Sequence, residues 1–240
     1  MGLLSKCEIK KRLDDELEKR LVITPILDPD EQINEGSVDL RLSTTFILTQ
    51  KTAFPSMDAT QGEQKLKEEI QKYQFRVSKR FHEPFVLHPQ QLVLGATLEY
   101  MAFPPDVGAY VLSRSSWGRL GLIIATATFV NPGYKGCLTL ELVNLGEVPL
   151  VLYPGIRVAQ LVLHSVHGEP GLHKSRYQFP TEPEFSRVYG DKELEFWGEG
   201  RTKITVSATF TGGVLRPDAG LPLSEGEQVE LDVRPKKSPL

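Results

Sequence analysis

The sequence predicts a mainly β subunit, an antiparallel sandwich or jelly roll, with a helix at the N-terminus and a small β extension at the C-terminus. Two observations carry this expectation. Between residues 75 and 167 the chain breaks into short apolar runs, FRVS, PFVLH, QLVLGATLEYM, GAYVLS, GCLTLELVN, VPLVLY and IRVAQLVLHSV, punctuated by Pro89, Pro104-Pro105, Pro132-Gly133 and Pro154-Gly155. No helical periodicity separates these runs, which argues for antiparallel pairing and against a parallel α/β sheet. Composition agrees: 240 residues, 40% hydrophobic and 25% charged, are enough to bury a core.

In chain order, Ile9, Leu13, Leu17 and Leu21 recur every fourth position between charges, predicting a docking helix over 5–21 with Ser5 as its N-cap. TPILDPDEQINEG carries turn chemistry, and VDLRL then alternates as a strand with Val38, Leu40 and Leu42 inward. Residues 58–73 are polar and read as a surface excursion with a short helix over 63–73. LGLIIATATFVN is read as a connection between strands. KITVSATFTGG and GEQVELDVRP flank a Gly/Pro/Asp-rich segment, so 203–235 is expected to be a compact β element. The division drawn is a main domain over 1–198 and an extension or interaction module over 199–240.

Charge and cysteine content exclude several classes of function. With 28 basic and 31 acidic side chains the net charge is -3, which gives no general attraction to nucleic acid or to a membrane surface. An anionic ligand must therefore be held by local basic groups. Cys7 and Cys137 are too few for a disulfide framework and lack CxxC spacing, and the five histidines, His82, His88, His164, His167 and His173, form no ligand cluster at metal spacing. The N-terminal MGLLSKCEIKKRLDDELEKR is too charged for a signal peptide, and no run approaches the ~20 apolar residues of a membrane span, so a cytoplasmic location is expected.

Two stretches could carry chemistry. Arg114-Ser115-Ser116-Trp117-Gly118-Arg119 follows the strand GAYVLS, in a turn where two guanidinium groups and two hydroxyls can converge. That set suits a polyphosphate, since arginine donates in a planar, bidentate fashion and hydroxyls add short neutral bonds. A turn of solvated arginines fits the same residues equally well. In CLTLELVN, strand alternation puts Leu138, Leu140 and Leu142 on one face and Thr139, Glu141 and Val143 on the other. Glu141 then either faces water or lines a site beside the Gly/Pro-rich turn TFVNPGYKG.

Five segments, taken together, resemble the dCTP deaminase family within the trimeric dUTPase superfamily: GSVDLRLS at 36–43, VLHPQQLVLGATLEYMAFPPDV at 86–107, RSSWGRLGL at 114–122, NPGYKGCLTLELVNLG at 131–146 and LYPGIRVAQLVL at 152–163. They occur in the family's order and, from residue 36 to residue 163, span about half the chain. The resemblance implies a dUTPase-like distorted jelly roll or β-barrel, assembled as a homotrimer with sites between subunits. It implies hydrolytic deamination of dCTP to dUTP and ammonia. Glu141 takes the place of the catalytic carboxylate, which the dUTPase branch lacks. Ser115 and Arg119 match residues that order water and substrate, and Arg114 and Ser116 match the phosphate contacts. Ala127 matches a small residue beside the pyrimidine and Asn131 the deoxyribose contact, and Thr139 and Leu140 are taken as substrate-binding residues next to Glu141. Gln160 and Tyr177 match further nucleotide contacts.

The mechanism implied needs no metal at the base. Glu141 takes a proton from the water attacking C4 and returns one through N3 to the departing ammonia. Zinc-dependent deamination requires HxE with PCxxC, and neither is present, so no zinc and no protein metal site are expected. Mg²⁺ is expected through the triphosphate of the nucleotide. Other readings of the same chain are a dUTP pyrophosphatase, a bifunctional dUMP-forming enzyme, or a nucleotide-sensing protein without turnover. Three features depart from the family's pattern: Asn131 stands where it carries Asp, the connection before it is one residue shorter, and RYQFPTEPEFSRVY lacks the glycine of the C-terminal lid. The tail, ITVSATFTGGVLRPDAGLPLSEGEQVELDVRP, is similar to small antitoxin-type β domains, and reads equally as a hairpin extending the surface.

Overall fold

The computed structural model describes residues 2–126, 128–168, 177, 179–197, 206–218, 220–221 and 233. The chain divides into two compact units, Met1–Gly198 and Glu199–Leu240.

The first unit opens with helix α1 (Lys6–Leu13), capped by the Ser5 hydroxyl accepting from the Glu8 amide. The helix is shorter than the periodicity predicts, and Leu17 is 85% exposed. Asp14, Asp15 and Glu16 follow α1 directly, where negative charge opposes the helix dipole. The chain instead folds back, so that the Leu21 amide donates to the Arg12 carbonyl and Leu21 is buried from an extended segment. Strand β1 (Val22–Thr24) and the single turn α2 (Pro29–Gln32) lead to β2 (Ser37–Arg41). Val38, Leu40 and Leu42 point inward as alternation requires.

The strands that follow are β3 (Thr45–Thr49), β4 (Gln74–Ser78), β5 (Phe85–Leu87), β6 (Leu92–Ala102) and β7 (Val107–Ser113), with α3 (Glu63–Tyr73) between β3 and β4. After the short turn α4 (Ser115–Gly118) come β8 (Leu122–Ile124), β9 (Phe129–Val130), β10 (Lys135–Asn144), β11 (Leu150–Leu152) and β12 (Arg157–Ser165). One sheet runs β4-β3-β6-β10-β8 with β1 also on β6, a second runs β2-β12-β7-β9, and β11 pairs with β5. All these pairings are antiparallel. Inward residues of both sheets meet in one apolar core that includes Leu40, Phe46, Met101, Leu140, Leu142 and Leu161, with Phe46 stacked on Phe85 at 4.1 Å between ring centroids. The chain is therefore mainly β, as expected, and α3 falls where the sequence places it. LGLIIATATFVN is more ordered than a plain connection, since it supplies β8 and β9.

The described part of the second unit is a hairpin of β13 (Ala208–Thr211) and β14 (Val214–Pro217). Its two-residue turn, Gly212-Gly213, takes positive φ at both positions, as such tight turns require. Apart from Val233, GEQVELDVRP lies outside the described residues.

Candidate active site

The RSS turn is built on the end of β7. Arg114 is the N-cap of α4, and its carbonyl accepts from the amides of Trp117 and Gly118. Ser115, Ser116 and Arg119 are exposed on the single chain, and the Arg119 side chain makes no hydrogen bond or ion pair among the described residues. Beyond α4, Gly121 turns the chain with φ +97°, and its carbonyl accepts from the Leu145 amide at 2.8 Å. A β-carbon at Gly121 would stand 2.5 Å from the Gly146 nitrogen, so this crossing requires glycine.

Glu141 sits on β10, paired with Leu94 of β6 on one side. On the other side β8 ends with Ile124 opposite Leu142, and the Ala125 amide donates to the Glu141 carbonyl at 2.8 Å. The Glu141 amide then finds no backbone acceptor and donates to the Thr126 hydroxyl at 2.7 Å. Leu138, Leu140 and Leu142 are buried while Thr139, Glu141 and Val143 are half-buried on the opposite face. Partial burial raises the Glu141 carboxyl above its ordinary range.

The other site residues predicted from sequence are placed in different ways. Asn131 opens the turn before β10, accepting from the Tyr134 amide through its carbonyl, while its side chain stays half-exposed. Leu140 turns its side chain fully into the core, which leaves only its main chain for a ligand. Thr139 is engaged by the chain's own C-terminal segment: its hydroxyl accepts from the Glu184 amide at 3.2 Å, and the Pro180 carbonyl accepts from the Cys137 amide at 2.7 Å. Tyr177 belongs to that segment, where its hydroxyl accepts from the Arg187 amide and its ring lies under the Arg187 guanidinium. Ala127 lies outside the described residues.

Arg114 and Gln160 are brought together by a residue that the sequence reading passes over. Asp39 of β2 is 1% exposed, although strand alternation would turn it outward. Its Oδ2 stands 3.1 Å from Arg114 Nε and 3.5 Å from Arg157 Nη1, and its Oδ1 accepts from Asn34 at 3.0 Å and Gln160 at 3.4 Å. The Arg157 carbonyl accepts from Arg114 Nη1 and from the Trp117 indole. The one signal in the sequence was a carboxylate in a strand otherwise bound for the core. Thr126 was missed because its role exists only in the β8/β10 register.

Among the described residues no three His, Cys, Asp or Glu side chains are grouped to hold a metal ion. No helix among them is long and apolar enough to cross a membrane.

A family model described as dCTP deaminase-like matches residues 3–166. The dCTP deaminase of Natronomonas pharaonis is 41% identical over 198 residues, covering 80% of this chain and 97% of that protein. A dCTP deaminase, dUMP-forming, from Dictyoglomus thermophilum is 43% identical over 193 residues, covering 78% and 94%. Among solved structures, the 2'-deoxycytidine 5'-triphosphate deaminase of Agrobacterium tumefaciens aligns with TM-score 0.50 at 23% identity, over 68% of this chain and 46% of that one, a likeness of fold. With the RSS turn and the Glu141 strand both inside the matched span, the chain belongs to the dCTP deaminase-like family.

Proposed function

We propose that this protein hydrolyses dCTP to dUTP and ammonia, with Glu141 as the general acid and base. The observation that carries the reading is the placement of Glu141: a half-buried carboxyl, raised in pKa by burial, on the face of β10 opposite the core. A raised pKa suits a group that must accept a proton and release it again near neutral pH. Water adds to C4 of the cytosine as Glu141 takes its proton. Glu141 delivers that proton to N3, then takes the proton of the new C4 hydroxyl and hands it to the amino group, so that the C4–N4 bond breaks, C4=O forms, N3 keeps its proton and ammonia leaves.

Arg119, uncommitted among the described residues, holds the water and counters charge that develops on it. Arg114, Ser115 and Ser116 receive the triphosphate, with Asn131 at the sugar, Ala127, Thr139 and the Leu140 main chain at the base, and Gln160 and Tyr177 as further contacts. Mg²⁺ fits this set through phosphate oxygens, because the turn offers donors to the nucleotide and no carboxylate ligands to the ion. Ser115, Ser116 and Arg119 lie open on one chain, which supports a homotrimer whose sites are completed across subunits. A monomer would then be inactive. The thiols of exposed Cys7 and buried Cys137 are both free, which supports a reducing cytoplasm.

Incubation of the purified protein with dCTP and Mg²⁺, followed by chromatography, tests the reading: dUTP and ammonia are expected. Tight binding of dCTP without products would overturn it in favour of a nucleotide sensor. Relatives of similar identity bear the dUMP-forming name, so dUMP with pyrophosphate would extend the reaction by one hydrolysis. Glu141→Gln should retain the fold and nucleotide binding while losing at least about a thousandfold in kcat.

A further inference from the structure

Five polar side chains converge on the seam between β2, β7 and β12. Gln160 pairs with Asp39 across the β12/β2 ladder and with Leu112 across the β12/β7 ladder, so the strand register itself fixes where the Asp39 carboxylate can reach. A carboxylate that is 1% exposed loses its hydration and is tolerated only with charged or polar donors on both oxygens. Asp39 has such donors on each: Asn34 and Gln160 on Oδ1, and the guanidiniums of Arg114 and Arg157 on Oδ2. Arg157 is held from the far side by Glu31, through both its carbonyl and its carboxylate.

Two of the four partners, Arg114 and Gln160, are residues assigned above to the nucleotide. We propose that Asp39 is a positioning residue for triphosphate recognition, fixing the Arg114 guanidinium at the edge of the RSS turn and tying it to Gln160. The inference rests on the dCTP reading and deepens it. Arg114 commits Nη1 to the Arg157 carbonyl and sets Nε against Asp39, yet its side chain remains 27% exposed. The guanidinium is thus anchored along one part and open to solvent along another. A long, flexible side chain held this way has already lost its rotamer freedom before an anion arrives, so less is lost on binding. Trp117, donating to the same Arg157 carbonyl, locks α4 to the same point, so the Ser115 and Ser116 hydroxyls share one frame with Arg114.

The test is an affinity cycle on the full chain, read by calorimetry with Mg²⁺ in a Glu141→Gln background so that nucleotide is not consumed. Asp39→Asn should weaken dCTP about tenfold while leaving deoxycytidine, which has no phosphates, within twofold. In an Arg114→Ala background the same substitution should have less than a twofold effect on dCTP. Equal losses for dCTP and deoxycytidine, or undiminished loss without Arg114, would show a general structural role and overturn the proposal. If Asp39→Asn does not fold, Asn34→Ala removes one donor from Asp39 and should give a smaller, threefold loss with the same dependence on phosphate and on Arg114. Loss of that dependence likewise overturns it. Ammonia release by the unsubstituted chain tests the dCTP reading separately, because the affinity cycle is measured whether or not turnover occurs.

Discussion

The main-chain N–H of Glu141 donates to the Thr126 hydroxyl at 2.7 Å, and that hydroxyl donates to the Thr139 carbonyl at 3.4 Å. A side chain here does the work of a strand backbone just past the end of β8, satisfying the amide of the proposed catalytic residue. Thr126→Val removes the acceptor and leaves that amide unpaired in a half-buried place, at a cost of about 1–3 kcal/mol. The expected outcome is about a tenfold fall in kcat with KM within twofold, and recovery in Thr126→Ser. A Thr126→Ser variant as slow as Thr126→Val would show that the methyl group, rather than the hydroxyl, matters.

Burial raises the Glu141 carboxyl, and the base must be ionised to take a proton from water. The acid limb of kcat/KM for dCTP should therefore have its midpoint above the ordinary glutamate value of about 4.3. A pH profile locates it. A midpoint at or below the ordinary value would assign the proton transfer to another group.

Glu99 is fully buried on β6, accepting from Gln32 Nε2 at 2.8 Å and from the Arg41 amide at 2.9 Å. Burial nevertheless dominates and pushes its pKa up to about 7. A folded-state pKa above the unfolded one gives stability that is complete below the unfolded value and is lost as pH rises through the folded value. Stability should therefore decline by about 2 kcal/mol between pH 5 and pH 8 from this group alone. Glu99→Gln should remove that slope in denaturant titrations at the two pH values, even though it loses one of the two hydrogen bonds. An unchanged slope would mean that Glu99 titrates as an ordinary carboxylate.

Gly136, the second residue of β10, has φ +142°, and a β-carbon there would lie 2.4 Å from Pro180 Cδ and 3.0 Å from its nitrogen. Gly136→Ala should push the C-terminal segment off β10, breaking the Cys137 to Pro180 hydrogen bond. Hydrogen exchange should then rise at the Cys137 amide and across peptides covering 179–190, with the β6/β10 ladder still protected. Unchanged protection at Cys137 would show that the segment yields without leaving.

Much of the fold is written in alternation. Val38, Leu40 and Leu42, and Leu138, Leu140 and Leu142, all take the faces their period requires. Helical spacing at Leu17 misled, because three acidic residues after Leu13 favour chain reversal over a longer helix. β8 and β9 hide in LGLIIATATFVN, whose apolar residues have no clean period. In the site, the RSS turn and Glu141 are visible as residue types. Asp39 and Thr126 are not, since each acquires its partners only from strand register, a long-range property that no local pattern encodes.

The crossing of Gly121 over Gly146 leaves no room for even a methyl group between the exit of the RSS turn and the end of the Glu141 strand. Those two arms are consequently held in contact, so that a displacement of one is passed to the other. The segment resting on Thr139 and Gly136 is joined to β10 differently, by two main-chain amide hydrogen bonds, one to a hydroxyl and one to a carbonyl, rather than by a backbone crossing.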